Sequence, residues 1–97
     1  MSVYVDELFD CTAFAGYRTG IWRYKTACHM TADTSEELQT MALLLGLRRE
    51  WLQHKGRATE HYDLNESKRV LAVRYGAVET TARIDALRIR EILKKPS

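Results

Sequence analysis

The spacing of apolar and polar positions changes along this chain, and the changes mark its elements. Ser2-Val3-Tyr4-Val5 is a short run of β-branched and aromatic residues that stops at Asp6, which predicts a first strand. Glu7 to Lys25 holds Gly16 and Gly20 and no clear period, so it reads as a loop with one helical turn at Glu7–Phe14. A loop of that length in a small domain is usually functional or mobile. Thr26–Thr31 reads as a second strand. Leu38, Met41, Ala42 and Leu45 then recur at i, i+3, i+4 and i+7, one face of a helix over 34–45. Thr34-Ser35-Glu36-Glu37 is a capping box at its start, and Gly46 supplies its left-handed stop. Arg48–Leu52 reads as a third strand and Gln53–Glu60 as a polar loop. Asn65 caps a helix running through Lys68, Leu71, Ala72 and Tyr75 to Gly76. Ala77-Val78-Glu79 reads as a fourth strand. Thr80 or Thr81 caps a last helix with Ala82, Ala86, Ile89 and Leu93 on one stripe, which Pro96 ends. Strands alternating with helices imply βαβ units. The expectation is one small layered α/β domain over 1–97, with a mostly parallel sheet of about four strands and three helices.

Composition fits a globular chain: 97 residues, 45% hydrophobic and 29% charged. A core this small gains from a second copy, so a homodimer is a reasonable expectation. The opening residues lack the basic and apolar regions of a signal peptide, and no apolar run is long enough to span a bilayer. Cys11 and Cys28 fit no metal or redox spacing. These features point to a cytoplasmic protein with two free thiols and no membrane partner.

The net charge of +2 is too small to indicate nucleic acid. Its distribution says more. Cys11 to Ala32 contains no Asp or Glu but carries Arg18, Arg23 and Lys25, and the last helix, about 81–94, is basic. Within loop 14–25, Tyr17, Trp22 and Tyr24 interleave with Arg18, Arg23 and Lys25. Aromatic faces stack on bases while Arg and Lys meet phosphates, so Trp22 and Arg23 are candidate contacts to a nucleotide or nucleic acid. The alternative is that Trp22 and Tyr24 pack in the core or a dimer interface.

In parallel α/β sheets ligands bind beyond the carboxyl ends of the strands. The expected strands end at Asp6, at Thr31–Asp33, near Gln53 and at Glu79, and the third loop leads to His61-Tyr62-Asp63. Asp6, Asp33, His61, Asp63 and Glu79 would then share one edge. Three readings of it compete. Asp6, Asp33 and Asp63 bind a divalent metal such as Mg²⁺ that acts on a phosphate ester, with His61 as proton carrier. The same groups bind a nucleotide without turnover. Or they are structural, with Asp33 and Asp63 favouring helix N-termini and His29 satisfied in the core. Phosphate-loop, dinucleotide-fingerprint, Cys-pair, zincin and nucleophile-elbow motifs are absent from the sequence.

Taken in order, Tyr4-Val5-Asp6, Cys28-His29-Met30-Thr31-Ala32-Asp33, Ser35-Glu36-Glu37-Leu38, Gly46-Leu47-Arg48-Arg49-Glu50-Trp51, His61-Tyr62-Asp63-Leu64, Ser67-Lys68-Arg69 and Gly76-Ala77-Val78-Glu79 resemble the DUF4031 family over about 3–79. The resemblance implies a bacterial or phage origin and a cytoplasmic setting. It singles out Asp6, His29, Asp33, Trp51, His61, Tyr62, Asp63, Lys68 and Arg69. The leading expectation is a protein that binds a phosphate-bearing ligand, extending to metal-assisted phosphoester hydrolysis. Asp6, Asp33, His61 and Asp63 would be its chemical groups, with His29, Tyr62, Lys68 and Arg69 binding ligand. The alternative is a non-catalytic interaction protein that docks on a host protein through loop 14–25 and the basic C-terminal helix.

Overall fold

The computed structural model describes residues 2–94. The elements in chain order are β1 Val3–Val5, β2 Phe9–Asp10, α1 Ala15–Arg18, β3 Thr26–Ala32, α2 Ser35–Leu45, a 3-10 turn Arg49–Trp51, β4 Tyr62–Leu64, α3 Glu66–Arg74, β5 Val78–Glu79 and α4 Ala82–Lys94. This is an α/β architecture with a mixed five-stranded sheet and four helices rather than three.

β3 organises the sheet. β1, β2 and β4 all pair with it antiparallel, and β5 joins β1 in parallel. The sheet is therefore mostly antiparallel, which corrects the expected parallel arrangement. Two misplaced elements account for this. Arg48–Leu52 is not a strand. Trp51 N and Leu52 N close 3-10 hydrogen bonds on Arg48 O and Arg49 O, and the half-exposed Trp51 ring lies under the Arg48 guanidinium. Its place is taken by Tyr62–Leu64, where Tyr62 and Leu64 are 1% exposed and Asp63 points the other way. That is the alternation of a strand, interrupted in hydropathy by one acid. Likewise Glu7–Phe14 is not helical. Phe9 and Asp10 extend against Ala27 and Thr26, and the Asp10 carboxylate then turns the chain by accepting from Thr12 N and Oγ1.

The expected helices hold. Thr34 Oγ1 accepts from Glu37 N and donates to Glu37 Oε1, and Gly46 ends α2 at φ 73. Asn65 Oδ1 caps α3 at Lys68 N, and Thr81 Oγ1 caps α4 at Ile84 N. Pro96 lies outside the described residues. Leu38, Met41, Ala42 and Leu45 of α2, with Ala72 of α3, meet Val3, Val5, Cys28, Met30, Tyr62 and Leu64 in one core. Each large apolar side chain buried there contributes about 1.5–3 kcal/mol.

Pleating sends the alternate residues to the opposite face. Tyr4, Thr31, His29 and Asp63 lie there, since Tyr4 pairs with Thr31 and His29 with Asp63. α4 packs on the Tyr4–Thr31 end of that face, where Arg88 lies over the Tyr4 ring and Asp85 accepts from Thr31. The His29–Asp63 end carries the polar chemistry.

Candidate metal centre

His29 is held twice by one carboxylate. Asp6 Oδ1 accepts its backbone amide at 2.6 Å, and Asp6 Oδ2 lies 2.8 Å from Nδ1. Asp6 follows the last residue of β1, and its amide donates to His29 O at 3.1 Å. The side chain has thus replaced the Asp6 carbonyl as the next acceptor in the ladder. That carbonyl accepts instead from Arg69 Nε at 2.7 Å, while Arg69 Nη1 pairs with Glu79 at 3.0 Å. Because His29 directs both backbone groups at Asp6, its pairing with Asp63 is of the non-hydrogen-bonded kind, which brings side chains closer.

His61 enters from the other side. A bridge between Gln53 and His61, closed by both amides, holds the base of loop 54–60. His61 Nδ1 meets the Thr59 carbonyl at 2.8 Å, so that nitrogen carries the proton and Nε2 is free. The Asp6 contact likewise leaves His29 Nε2 free in the neutral ring. Nε2 of His61 is 3.6 Å from Asp63 Oδ1, and Gln53 Nε2 donates to Asp63 Oδ2 at 2.5 Å. Ligand atoms of His29, His61 and Asp63 all fall within 4.8 Å of one another. Two ligands on a tetrahedral ion with bonds of about 2.0–2.1 Å sit roughly 3.3 Å apart, so the 3.6 Å pair needs little adjustment. Phe9 stacks on the His29 ring with centroids 5.2 Å apart, fixing its plane.

The Asp6 hydrogen bond raises the His29 pKa above its ordinary value, partly opposed by burial. Burial, with the Asp6 charge, pushes the neighbouring Cys28 thiol up to about 12, so Cys28 stays a protonated core residue.

Of the expected edge set, Asp6, His61 and Asp63 come together, and His29 joins them. They gather on a face of the sheet, not along its carboxyl edge, because β3 runs against β1 and β4. Asp33 belongs at the far end of that face, where it accepts from Ser2 N, Tyr4 Oη and Arg88 Nη1. Asp63 lies inside β4 and caps no helix. Tyr62 faces the core and donates to Gln39 Oε1 at 2.7 Å. Lys68 Nζ donates to the Leu45 carbonyl at the end of α2. Arg69 is committed to Asp6 and Glu79. Trp22 packs edge-on against Tyr24, and Arg23 lies over the same Tyr24 ring. Sequence reading passed over Gln53, Thr59 and His54, all in the polar loop. The signal was a histidine count of three, with two of the three only seven positions apart.

A family model described as a protein of unknown function, DUF4031, matches residues 3–92. The chain belongs to the DUF4031 family. The match runs beyond Glu79 and takes in most of α4. No curated protein and no solved structure matches this DUF4031 chain. Among the described residues no helix is long and apolar enough to cross a membrane.

Proposed function

We propose that this DUF4031 protein holds a divalent transition metal through His29, His61 and Asp63 and uses it to bind and hydrolyse a phosphate-bearing ligand, a nucleotide or nucleic acid. The observation that carries this reading is the convergence of two free Nε2 atoms and one carboxylate, with each Nδ1 already tied to an oxygen. Two histidines and a carboxylate form a common three-ligand set of catalytic zinc sites and of non-haem iron sites. Two nitrogen donors disfavour Mg²⁺, which prefers oxygen, so the expected ion changes from Mg²⁺ to zinc, iron, cobalt or manganese. Asp6 acts behind His29 rather than on the ion, fixing its tautomer and orientation. Such an ion polarises a phosphoryl oxygen and makes bound water acidic, the two effects that phosphoester hydrolysis needs. The phosphate class is favoured by the exposed cations of the flanking loops, Arg23 and Lys25 before β3 and Lys55 and Arg57 in loop 54–60.

Thermal shift with zinc, cobalt, manganese and magnesium tests the metal, and chromogenic phosphate mono- and diesters test turnover. Stabilisation of about 2.7 kcal/mol is expected at a hundred times Kd. It should be larger for the transition metals than for magnesium and lost in His61→Ala. Equal responses of wild type and His61→Ala to every metal would remove the reading.

A non-catalytic interaction protein is the second reading. It is favoured by apolar side chains left in solvent, Phe14 and Ile21 in loop 14–25 and Ile84, Leu87 and Leu93 on α4. Hydrolysis that depends on Asp63 would decide against it.

A further inference from the structure

All three histidines of the chain join one run of rings. His29 meets His61 edge to face at 5.2 Å between centroids, and His61 meets His54 in the same way at 5.2 Å. His54 Nδ1 lies 2.9 Å from Thr59 Oγ1, while the carbonyl of the same threonine takes His61 Nδ1. Thr59 therefore orients both imidazoles, and in each the Nδ1 side is the occupied one. In the tautomer whose Nδ1–H donates to Oγ1, His54 has the same free Nε2 as the other two. Metal-binding histidines have this arrangement, one ring nitrogen engaged by an oxygen and the other left to the ion.

His54 is also distinctive in its backbone. It stands at φ 55, the left-handed region, and it is the non-glycine residue found there among those described. L-residues adopt that conformation at a cost, and strain of this kind collects at ligand-binding positions. The strained turn is well secured. Arg57 N donates to His54 O, Glu60 N to Arg57 O, and the Glu60 carboxylate accepts from Gly56 N. From this turn the His54 ring lies edge-on against His61.

We infer that His54 supplies a fourth ligand to the metal, completing a three-histidine, one-aspartate site. The inference rests on the metal reading above and adds to it the coordination number and the residue that completes it. His54 does not lie within the 4.8 Å group of His29, His61 and Asp63, so ligation requires loop 54–60 to shift toward the ion with the His54–Thr59 contact kept. A ligand on an exposed loop is also the one that a phosphate oxygen displaces most readily. The three remaining protein ligands are those of an open catalytic site.

Cobalt(II) titration of the full chain, followed in the visible region, tests this. Tetrahedral cobalt(II) absorbs intensely, whereas five- and six-coordinate cobalt(II) absorbs weakly. The wild type should bind with the intense spectrum. His54→Asn keeps a residue that tolerates positive φ and removes the imidazole. It should bind cobalt(II) at least about tenfold more weakly, with a visible spectrum shifted from that of the wild type. A metal-free melting temperature equal to that of the wild type would show that the fold is intact, and His54→Gly, which removes the strain, should repeat the loss. Wild-type affinity and spectrum in both variants would overturn the fourth ligand while leaving the three-ligand site standing. Undiminished binding in His29→Ala would overturn the metal reading itself.

Discussion

Asp6 and His29 are joined through backbone and side chain at once: one carboxylate accepts the His29 amide at 2.6 Å and faces its Nδ1 at 2.8 Å. Asp6 is 3% exposed, so water cannot replace it in both places. Asp6→Ala should strand a buried amide and cost about 1–3 kcal/mol of stability, read by urea denaturation. It should also free the His29 ring and weaken zinc binding by about 10–100-fold. Asp6→Asn keeps an acceptor for the amide, so its stability loss should be smaller. Full zinc affinity in Asp6→Ala would show that Asp6 does not orient a metal-bound His29.

The same contact sets a pH dependence. The Asp6 hydrogen bond raises the His29 pKa, so its NMR titration midpoint should lie above the ordinary value of about 6.5. The stabilisation from the protonated ring is fully present below the unfolded pKa and is lost as pH rises through the folded one. Metal binding has the opposite sign, because the ligand is the neutral imidazole. Zinc affinity should climb as pH rises through that same midpoint. In Asp6→Asn the midpoint should fall. A wild-type midpoint at or below 6.5 would contradict the assignment of Asp6 as the controlling group.

What the sequence disclosed follows from which signals are local. The helix caps at Thr34, Asn65 and Thr81 are decided within four residues, and all three stand. Strand direction is decided by partners distant in the chain. β3 and β4 pair across more than thirty positions, and a three-residue strand with Asp63 at its centre shows no apolar run. Placing Arg48–Leu52 in the sheet made the strands alternate with helices, and parallel pairing followed. Yet Asp6, His29, His61 and Asp63 still converge, because β3 pairs with β1 along one side and with β4 along the other. Asp33 separates from them because its strand runs the other way.

Tyr62 divides the two arrangements experimentally. As a ligand-binding residue its hydroxyl would be needed for function. In the structure it is 1% exposed on the core face and donates to Gln39. Tyr62→Phe should lose one buried hydrogen bond, about 0.5–1.5 kcal/mol, and leave zinc affinity unchanged. A large fall in affinity with unchanged stability would place Tyr62 at the site after all.

Arg88 makes the corresponding case for Asp33. Its guanidinium pairs with Asp85 at 2.9 Å and Asp33 at 3.2 Å, donates to Thr31 Oγ1, and lies 4.2 Å from the centre of the Tyr4 ring. Asp85 is 7% exposed, and the Arg88 side chain is 17% exposed, so solvent screens the group little. Removing the cation leaves a buried carboxylate unpaired, and Arg88→Ala should cost about 3 kcal/mol, lowering the denaturation midpoint. Asp33→Asn removes the charge of the less buried partner and should cost less. Neither change touches His29, His61 or Asp63, so zinc affinity per folded molecule should stay at the wild-type value in both, while Asp63→Asn should reduce it with little effect on stability. Loss of zinc binding in Asp33→Asn, measured on protein shown to be folded, would return Asp33 to the metal set and break the separation of the two ends of this face.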